Sequence, residues 1–340
     1  MSALGLTASL LRTLALSRPN THSASNRRVR VRRCYTRAAA TFSPLRTDDD
    51  RIAEIPHLQS DHLRVQLFET VIDIAGHPVK LVLPESEDVI VDMYAALGRP
   101  DDDPHWATLW QGSVALAEEV LCNPELVRGK RVIDLGTGLG LAGIAAGLAG
   151  ASEVVLTDRE PRTLHCALCA AALNGLSVVP LPPSIVNADP DGVPLPELLT
   201  FHGAARESDS EVKAAILDWF NPDFRALGGV GFDVVLACDV LYTEAAVDVI
   251  APLAIRLFDG NGARDDKTDA LFVLADPPGR FPQNHARFLS LMENMSLSED
   301  ELGESKGRRR AVRVDSRTRN CVNLVDEPMT VELSTYVIEE

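Results

Sequence analysis

Val132-Ile133-Asp134-Leu135-Gly136-Thr137-Gly138-Leu139-Gly140 reads as an apolar strand that ends in an acid and runs into a loop with glycine at every second position. A helix of small residues follows, Leu141-Ala142-Gly143-Ile144-Ala145-Ala146-Gly147-Leu148-Ala149-Gly150. Such a strand–loop–helix unit brings bare backbone against a nucleotide-like ligand, because a Cβ at those positions would block the approach. It implies an α/β chain whose ligand lies at the carboxyl ends of parallel strands.

The flanking pattern extends that unit. Residues 153–157 form a second strand ending at Asp158, and the next helix starts with Pro161 and stops at Asn174-Gly175, as helix ends prefer. Residues 178–211, with six prolines, read as an insertion, since so long a loop is foreign to a compact domain. Strand three follows at 212–217, strand four at 232–237 with a helix over 244–258, and strand five at 270–275. Residues 260–269 and 298–310 read as surface loops, and 311–314 with 329–338 as a closing antiparallel pair at one sheet edge. Upstream, 65–74 and 79–83 read as a β-hairpin, followed by helices at about 86–97 and 113–121. The expected fold is a doubly wound, Rossmann-like, seven-stranded sheet with an antiparallel closing strand and an N-terminal hairpin–helix extension. It occupies residues 61–340 as one domain.

The formal net charge of −16 conceals a split. Residues 1–47 hold nine arginines and no acid, which leaves −25 for the remainder. An Arg-rich, Ser/Ala/Thr-rich, acid-free start has the composition of a disordered organelle transit peptide, mitochondrial or plastid. A basic nucleic-acid-binding arm is the alternative, but the abrupt switch at Asp48-Asp49-Asp50 favours targeting, with 48–60 as a linker. A domain at −25 makes a poor nucleic-acid binder and attracts a basic protein surface. No apolar stretch reaches the roughly 20 residues of a membrane span, and a monomer is expected. Of the six cysteines, Cys166 and Cys169 have a metal-like spacing without a second pair; they read as buried thiols, so no metal is expected.

Two cofactors compete for the glycine loop. Gly138-x-Gly140-x-x-Gly143 fits a dinucleotide fingerprint, with Asp158 where a ribose-binding acid belongs. In the other frame, Asp134-x-Gly136-x-Gly138-x-Gly140, an acid precedes the first glycine. A pyrophosphate gains nothing from that carboxylate, whereas the cationic ammonium end of S-adenosylmethionine does. This favours S-adenosylmethionine.

Asp134-Leu-Gly-Thr-Gly-Leu-Gly resembles motif I of the seven-β-strand methyltransferases, and Asp158 matches their ribose-binding acid. Leu217-Asp218-Trp219 is similar to their adenine-contacting acid and ring. Asp239-Val240-Leu241-Tyr242 resembles the Asp-x-x-Tyr signature of the lysine-methylating branch, and Pro104-His105-Trp106-Ala107-Thr108-Leu109-Trp110-Gln111-Gly112 resembles its Trp-rich lead-in. Ala275-Asp276-Pro277-Pro278-Gly279-Arg280 is similar to a segment of the electron-transfer-flavoprotein β-subunit lysine methyltransferases, and no role is assigned to it here. The resemblance implies cofactor contacts from Trp110, Asp134, Gly136, Gly138, Gly140, Asp158, Asp218, Trp219 and Ala237. It implies catalytic roles for Asp239, as an anchor for the entering amine, and for Tyr242, as an aromatic wall.

The expected activity is therefore S-adenosylmethionine-dependent N-methylation of a lysine on a protein substrate inside an organelle. A small-molecule N-methyltransferase acting on nicotinamide or another amine is the alternative. A scaffold that has lost catalysis, and an NAD-dependent oxidoreductase, stand further off. The oxidoreductase lacks a Tyr-x-x-x-Lys pair, because Ala246 stands four residues after Tyr242.

Overall fold

The computed structural model describes residues 43–45, 65, 67–179, 181, 210–258, 270–294, 296–297, 309–322 and 328–339. The expected leader apart from 43–45, the linker 48–60, most of the 178–211 insertion and most of the two expected surface loops lie outside them.

β1 (Ser43–Leu45), β2 (Leu67–Ile74) and β3 (His77–Pro84) form a three-stranded antiparallel sheet. Ala75 and Gly76 turn the β2–β3 hairpin, both at positive φ, as a two-residue loop matched to strand twist requires. α1 (Glu87–Ala96) and a short helical turn at His105–Ala107 lead to α2 (Gln111–Cys122).

Alternation of strand and helix then begins. β4 (Arg131–Leu135) feeds α3 (Leu141–Leu148), β5 (Glu153–Asp158) feeds α4 (Pro161–Leu173), and β6 (Ser177–Val178) and β7 (Glu211–Ile216) flank the insertion. β8 (Val234–Cys238), α5 (Glu244–Arg256), β9 (Ala270–Asp276) and α6 (Pro282–Asn294) continue it. β10 (Ser296–Leu297), β11 (Arg309–Val322) and β12 (Pro328–Glu339) close the chain.

The main sheet runs β10-β11-β12-β9-β8-β4-β5-β7-β6. It is parallel from β9 to β6, and β12 is antiparallel to both β9 and β11. The seven expected strands are all present; the two-residue β6 and β10 bring the count to nine. The inner strand of the closing pair matches 329–338 to within one residue at each end, whereas the outer strand runs well beyond 311–314. Over 315–320 it alternates arginine with polar residues, so it lacks an apolar signal there. Arg317 and Arg319 instead reach the buried Glu119 of α2 at 3.0 and 3.2 Å, and Arg313 pairs with Glu332 of β12.

Both faces of the parallel strands are covered, so they are apolar throughout rather than alternating. Val132, Val154, Val234 and Leu236 pack toward α2, α3, α4 and the hairpin. Ile133, Val155, Val235 and Ala237 pack toward α5 and α6. The hairpin is fastened by Asn174 at the end of α4: its side chain accepts from Lys80 N at 3.0 Å and donates to Lys80 O at 2.7 Å.

α6 was not expected from the sequence, because its buried stripe of Asn284, His285, Phe288 and Met292 is half polar. Its Phe288 ring lies 6.1 Å from Phe272 and 6.4 Å from Tyr336, and all three rings are buried. Truncating the Phe288 ring leaves a cavity in that cluster. Phe288→Ala is expected to lower unfolding free energy by about 3–5 kcal/mol, measurable by urea titration.

Candidate active site

The glycine loop leaves β4 with Gly136, Gly138 and Gly140 at φ of +64°, +51° and +84°. A Cβ at Gly136 would stand 2.6 Å from the Trp219 ring, so glycine there permits both the turn and the close approach. Gly140 does not reach the cavity; it packs against Ala167 of α4.

Asp134 holds this loop from behind. Its carboxylate Oδ2 accepts from Thr137 Oγ1 at 2.6 Å and from Gly143 N at 2.9 Å, while Oδ1 has no hydrogen-bond partner. The residue is fully buried and does not line the cavity, in contrast to the expectation that it faces a ligand cation. Burial pushes its carboxyl up to about 6. With the Asp134 carboxylate on Gly143 N, the first turn of α3 already has an anion, where a dinucleotide pyrophosphate would otherwise dock.

In front of the loop lies an open cavity of about 380 Å³ at the carboxyl ends of the parallel strands. Eight of the eleven expected site residues line it: Trp110, Gly136, Gly138, Asp158, Asp218, Trp219, Asp239 and Tyr242. Asp134, Gly140 and Ala237 do not; Ala237 is buried in the core beneath α5 and α6. Asp158 accepts from Gly138 N at 3.2 Å and Glu160 N at 3.1 Å, and burial pushes its carboxyl up to about 6. Trp219 and Tyr242 form an aromatic wall with ring centroids 6.3 Å apart. Phe220 and Tyr242 at the mouth are 60% and 41% exposed.

Asp239 sits just past the end of β8 in a left-handed conformation, φ +54°. Its backbone N–H donates to Ala275 O of β9 at 3.0 Å. The carboxylate lies so close to Gly112 that a Cβ there would collide with Oδ2 and stand 2.9 Å from Ala275 O. Burial raises this carboxyl to about 6, against the opposing pull of the Arg280 guanidinium. Arg280 Nη1 donates to Asp239 Oδ1 at 2.6 Å, and its guanidinium carbon lies 4.6 Å from the Trp110 ring centroid. Sequence reasoning missed Arg280. The available signal was a lone cation on the Pro–Pro–Gly turn after strand five, at the sheet edge where ligands bind.

The lead-in segment lines the cavity through Asp103, His105, Trp106 and Trp110, and α1 braces it from behind. Trp106 Nε1 donates to Tyr94 Oη at 3.0 Å, and Tyr94 Oη donates to Glu160 Oε2 at 2.8 Å, next to Asp158. Trp110 Nε1 donates to His105 O at 2.9 Å. Glu87 of α1 accepts from Thr108 Oγ1 at 2.7 Å and contacts the His105 ring at 2.9 Å. Among the described residues, no group of three or more His, Cys, Asp and Glu side chains could hold a metal ion. Cys166 and Cys169 are buried thiols, as read from the sequence. No helix of the described residues is long and apolar enough to cross a membrane.

No family model matches the chain. It is similar to the electron transfer flavoprotein beta subunit lysine methyltransferase of Rattus norvegicus, 43% identical over 82 residues, which cover 24% of this chain and 32% of that protein. The Homo sapiens protein of the same name is 41% identical over 93 residues, covering 27% and 36%. A calmodulin-lysine N-methyltransferase of Arabidopsis thaliana is 36% identical over 111 residues, covering 32% and 36%. The chain thus spans about a third of the length of these curated relatives. Among solved structures, a SAM-dependent methyltransferase from Methanosarcina mazei is 11% identical with a TM-score of 0.37, covering 63% of this chain and 94% of that one.

A carboxyl held above its ordinary range opposes folding once it ionises. Its contribution is therefore full in acid and is lost as pH rises through the folded value, about 6 for Asp134. Asn cannot ionise. Thermal melts from about pH 4 to about pH 7 are expected to show Asp134→Asn gaining on wild type as pH rises.

Proposed function

We propose that this chain is an S-adenosylmethionine-dependent protein-lysine N-methyltransferase. The observation that carries the reading is that the glycine loop with Asp158 and the Asp239–Trp110 pair open on one cavity. Its residues fit an adenosine-bearing cation: a bare glycine backbone at Gly136 and Gly138 on the cavity wall, a carboxylate at the end of β5, and aromatic and apolar walls. The anion already seated on α3 speaks against a dinucleotide. The partial likeness to lysine methyltransferases supports the same reading.

In this reading, Asp158 holds the ribose, Trp219 and Asp218 flank the adenine, and Gly136 and Gly138 let the backbone approach. Bound S-adenosylmethionine supplies an electrophilic methyl group on a sulfonium, which departs as a neutral thioether. What the protein must do is align a neutral amine with it. A lysine has a pKa of about 10.4 in water, so the amine must shed a proton to solvent before its lone pair forms the new N–C bond. Asp239 accepts a hydrogen bond from that amine and fixes its approach, and Tyr242 walls the channel. The exposed Phe220 and Tyr242 at the mouth favour a protein surface over a free small amine. The acidic composition favours a basic one. We further propose that the acid-free residues 1–47 direct the chain to an organelle, where it acts as a monomer.

Incubating mitochondrial and plastid extracts with labelled S-adenosylmethionine tests this. Wild type is expected to label a protein band at lysine. Asp239→Ala should lose labelling at least about 100-fold while calorimetric affinity for S-adenosylhomocysteine stays unchanged. Gly136→Ala should lose both, because its Cβ meets Trp219. Labelling confined to small amines would establish the small-molecule alternative instead.

A further inference from the structure

Arg280 stands on the turn between β9 and α6, its backbone N–H donating to Pro277 O at 3.0 Å. Its side chain is one-quarter exposed, whereas that of Asp239 is only 6% exposed. The guanidinium meets the Asp239 carboxylate on one side and the Trp110 ring on the other, at the wall of the cavity.

Several other charged and titratable groups lie around this pair. Asp276, at the end of β9, has His285 of α6 at 2.9 Å, and the second ring nitrogen of His285 lies 3.5 Å from Glu332 of β12. Cys238, beside Asp239 on β8, and Cys321, on β11, are thiols whose ionisation burial opposes. Glu118 of α2 acts on Cys321. Asp103, His105, Asp158, Arg159 and Asp218 line the same cavity. Among the described residues, Arg280 is the cation that pairs with Asp239, and the ionised pair carries no net charge.

That neutrality matters for the reaction proposed above, on which this inference rests. A buried carboxylate without a counter-charge favours the ammonium form of any amine brought against it, and an ammonium has no lone pair to accept a methyl group. An acceptor site needs the hydrogen bond without the charge. A carboxylate oxygen has two lone pairs, so Oδ1 can serve Arg280 and still accept from an amine N–H.

We propose that Arg280 is a positioning residue that neutralises Asp239, so that the carboxylate orients the entering amine without holding it as an ammonium. The guanidinium suits this role because it stays charged at every working pH, and its place over the Trp110 ring helps hold it beside the carboxylate. Removing it leaves the carboxylate–amine pair with one extra proton, whichever atom carries it. That proton must then be lost at higher pH before methyl transfer.

The test compares wild type, Arg280→Met and Arg280→Met/Asp239→Asn. The acceptor probe is recombinant electron transfer flavoprotein beta subunit, and transfer is followed from about pH 6 to about pH 10. On the same proteins, calorimetry measures S-adenosylhomocysteine affinity, and carbon-13 NMR of labelled aspartate follows the Asp239 carboxyl. For Arg280→Met the acid limb is expected to move up by about one pH unit or more. This makes transfer about tenfold slower near pH 7, converging on wild type near pH 10. The Asp239 resonance should titrate higher, and cofactor affinity should hold. In the double variant, which is again neutral, the limb should return to its wild-type position at reduced amplitude.

A uniform loss at every pH, or an unmoved Asp239 titration, overturns the role of Arg280 and leaves the methyltransferase reading standing. Absence of transfer by wild type, with S-adenosylhomocysteine still bound, overturns the acceptor reading and this inference with it.

Discussion

The Asp134 carboxylate is the fixture on which the site is built. It sits near the carboxyl end of β4, fully buried, and its Oδ2 joins the Thr137 hydroxyl to the Gly143 amide. The backbone carbonyl of the same residue accepts from Thr157 Oγ1 of β5 at 2.7 Å. One residue thus fastens β4, the glycine loop, α3 and the neighbouring strand. A loop with glycine at every second position has little stiffness of its own, and ordering it costs more entropy than ordering any other residue type. The carboxylate supplies the rigidity that the glycines give up.

The cavity side of the loop depends on that anchoring, but the surroundings of Asp239 are built differently. Asp239, Gly112, Trp110 and Arg280 come from three separate stretches of chain: the end of β8 and its following loop, the start of α2 with the residue that caps it, and the β9–α6 turn. They meet because β8 and β9 are neighbours in the sheet and α2 packs across their ends. The Trp106–Tyr94–Glu160 chain of hydrogen bonds ties the lead-in segment to the end of β5, so the hairpin–helix extension also bears on the cavity.

These two kinds of construction explain what could be read from the sequence. The parallel strands were plain because both faces are buried, which makes them continuous apolar runs, and the glycine loop was plain because its geometry excludes side chains. The eight expected residues that line the cavity were legible because each follows a strand or opens a helix. Asp134 was seen as a site residue but its orientation was not, since a strand-end acid turns to the ligand or to the loop according to contacts several residues away. α6 and the outer half of β11 were missed because sparse aromatics and arginine–carboxylate pairs hold them in place of an apolar face. Arg280 was missed because its meaning depends on a partner 41 positions away in sequence.

Asp239 adopts a left-handed backbone conformation, which for a residue other than glycine costs on the order of 1 kcal/mol. It also buries a carboxylate against bare backbone at Gly112. Glycine would relieve both costs at that position, and asparagine would shed the buried charge. The fold by itself therefore gives no reason for an acid at this position; the reaction proposed for the site does. A chain with glycine or asparagine there would gain stability and lose the proposed anchor, and Gly112 would be free to carry a side chain. The two positions together then distinguish a chain that keeps this arrangement from one that keeps only the fold.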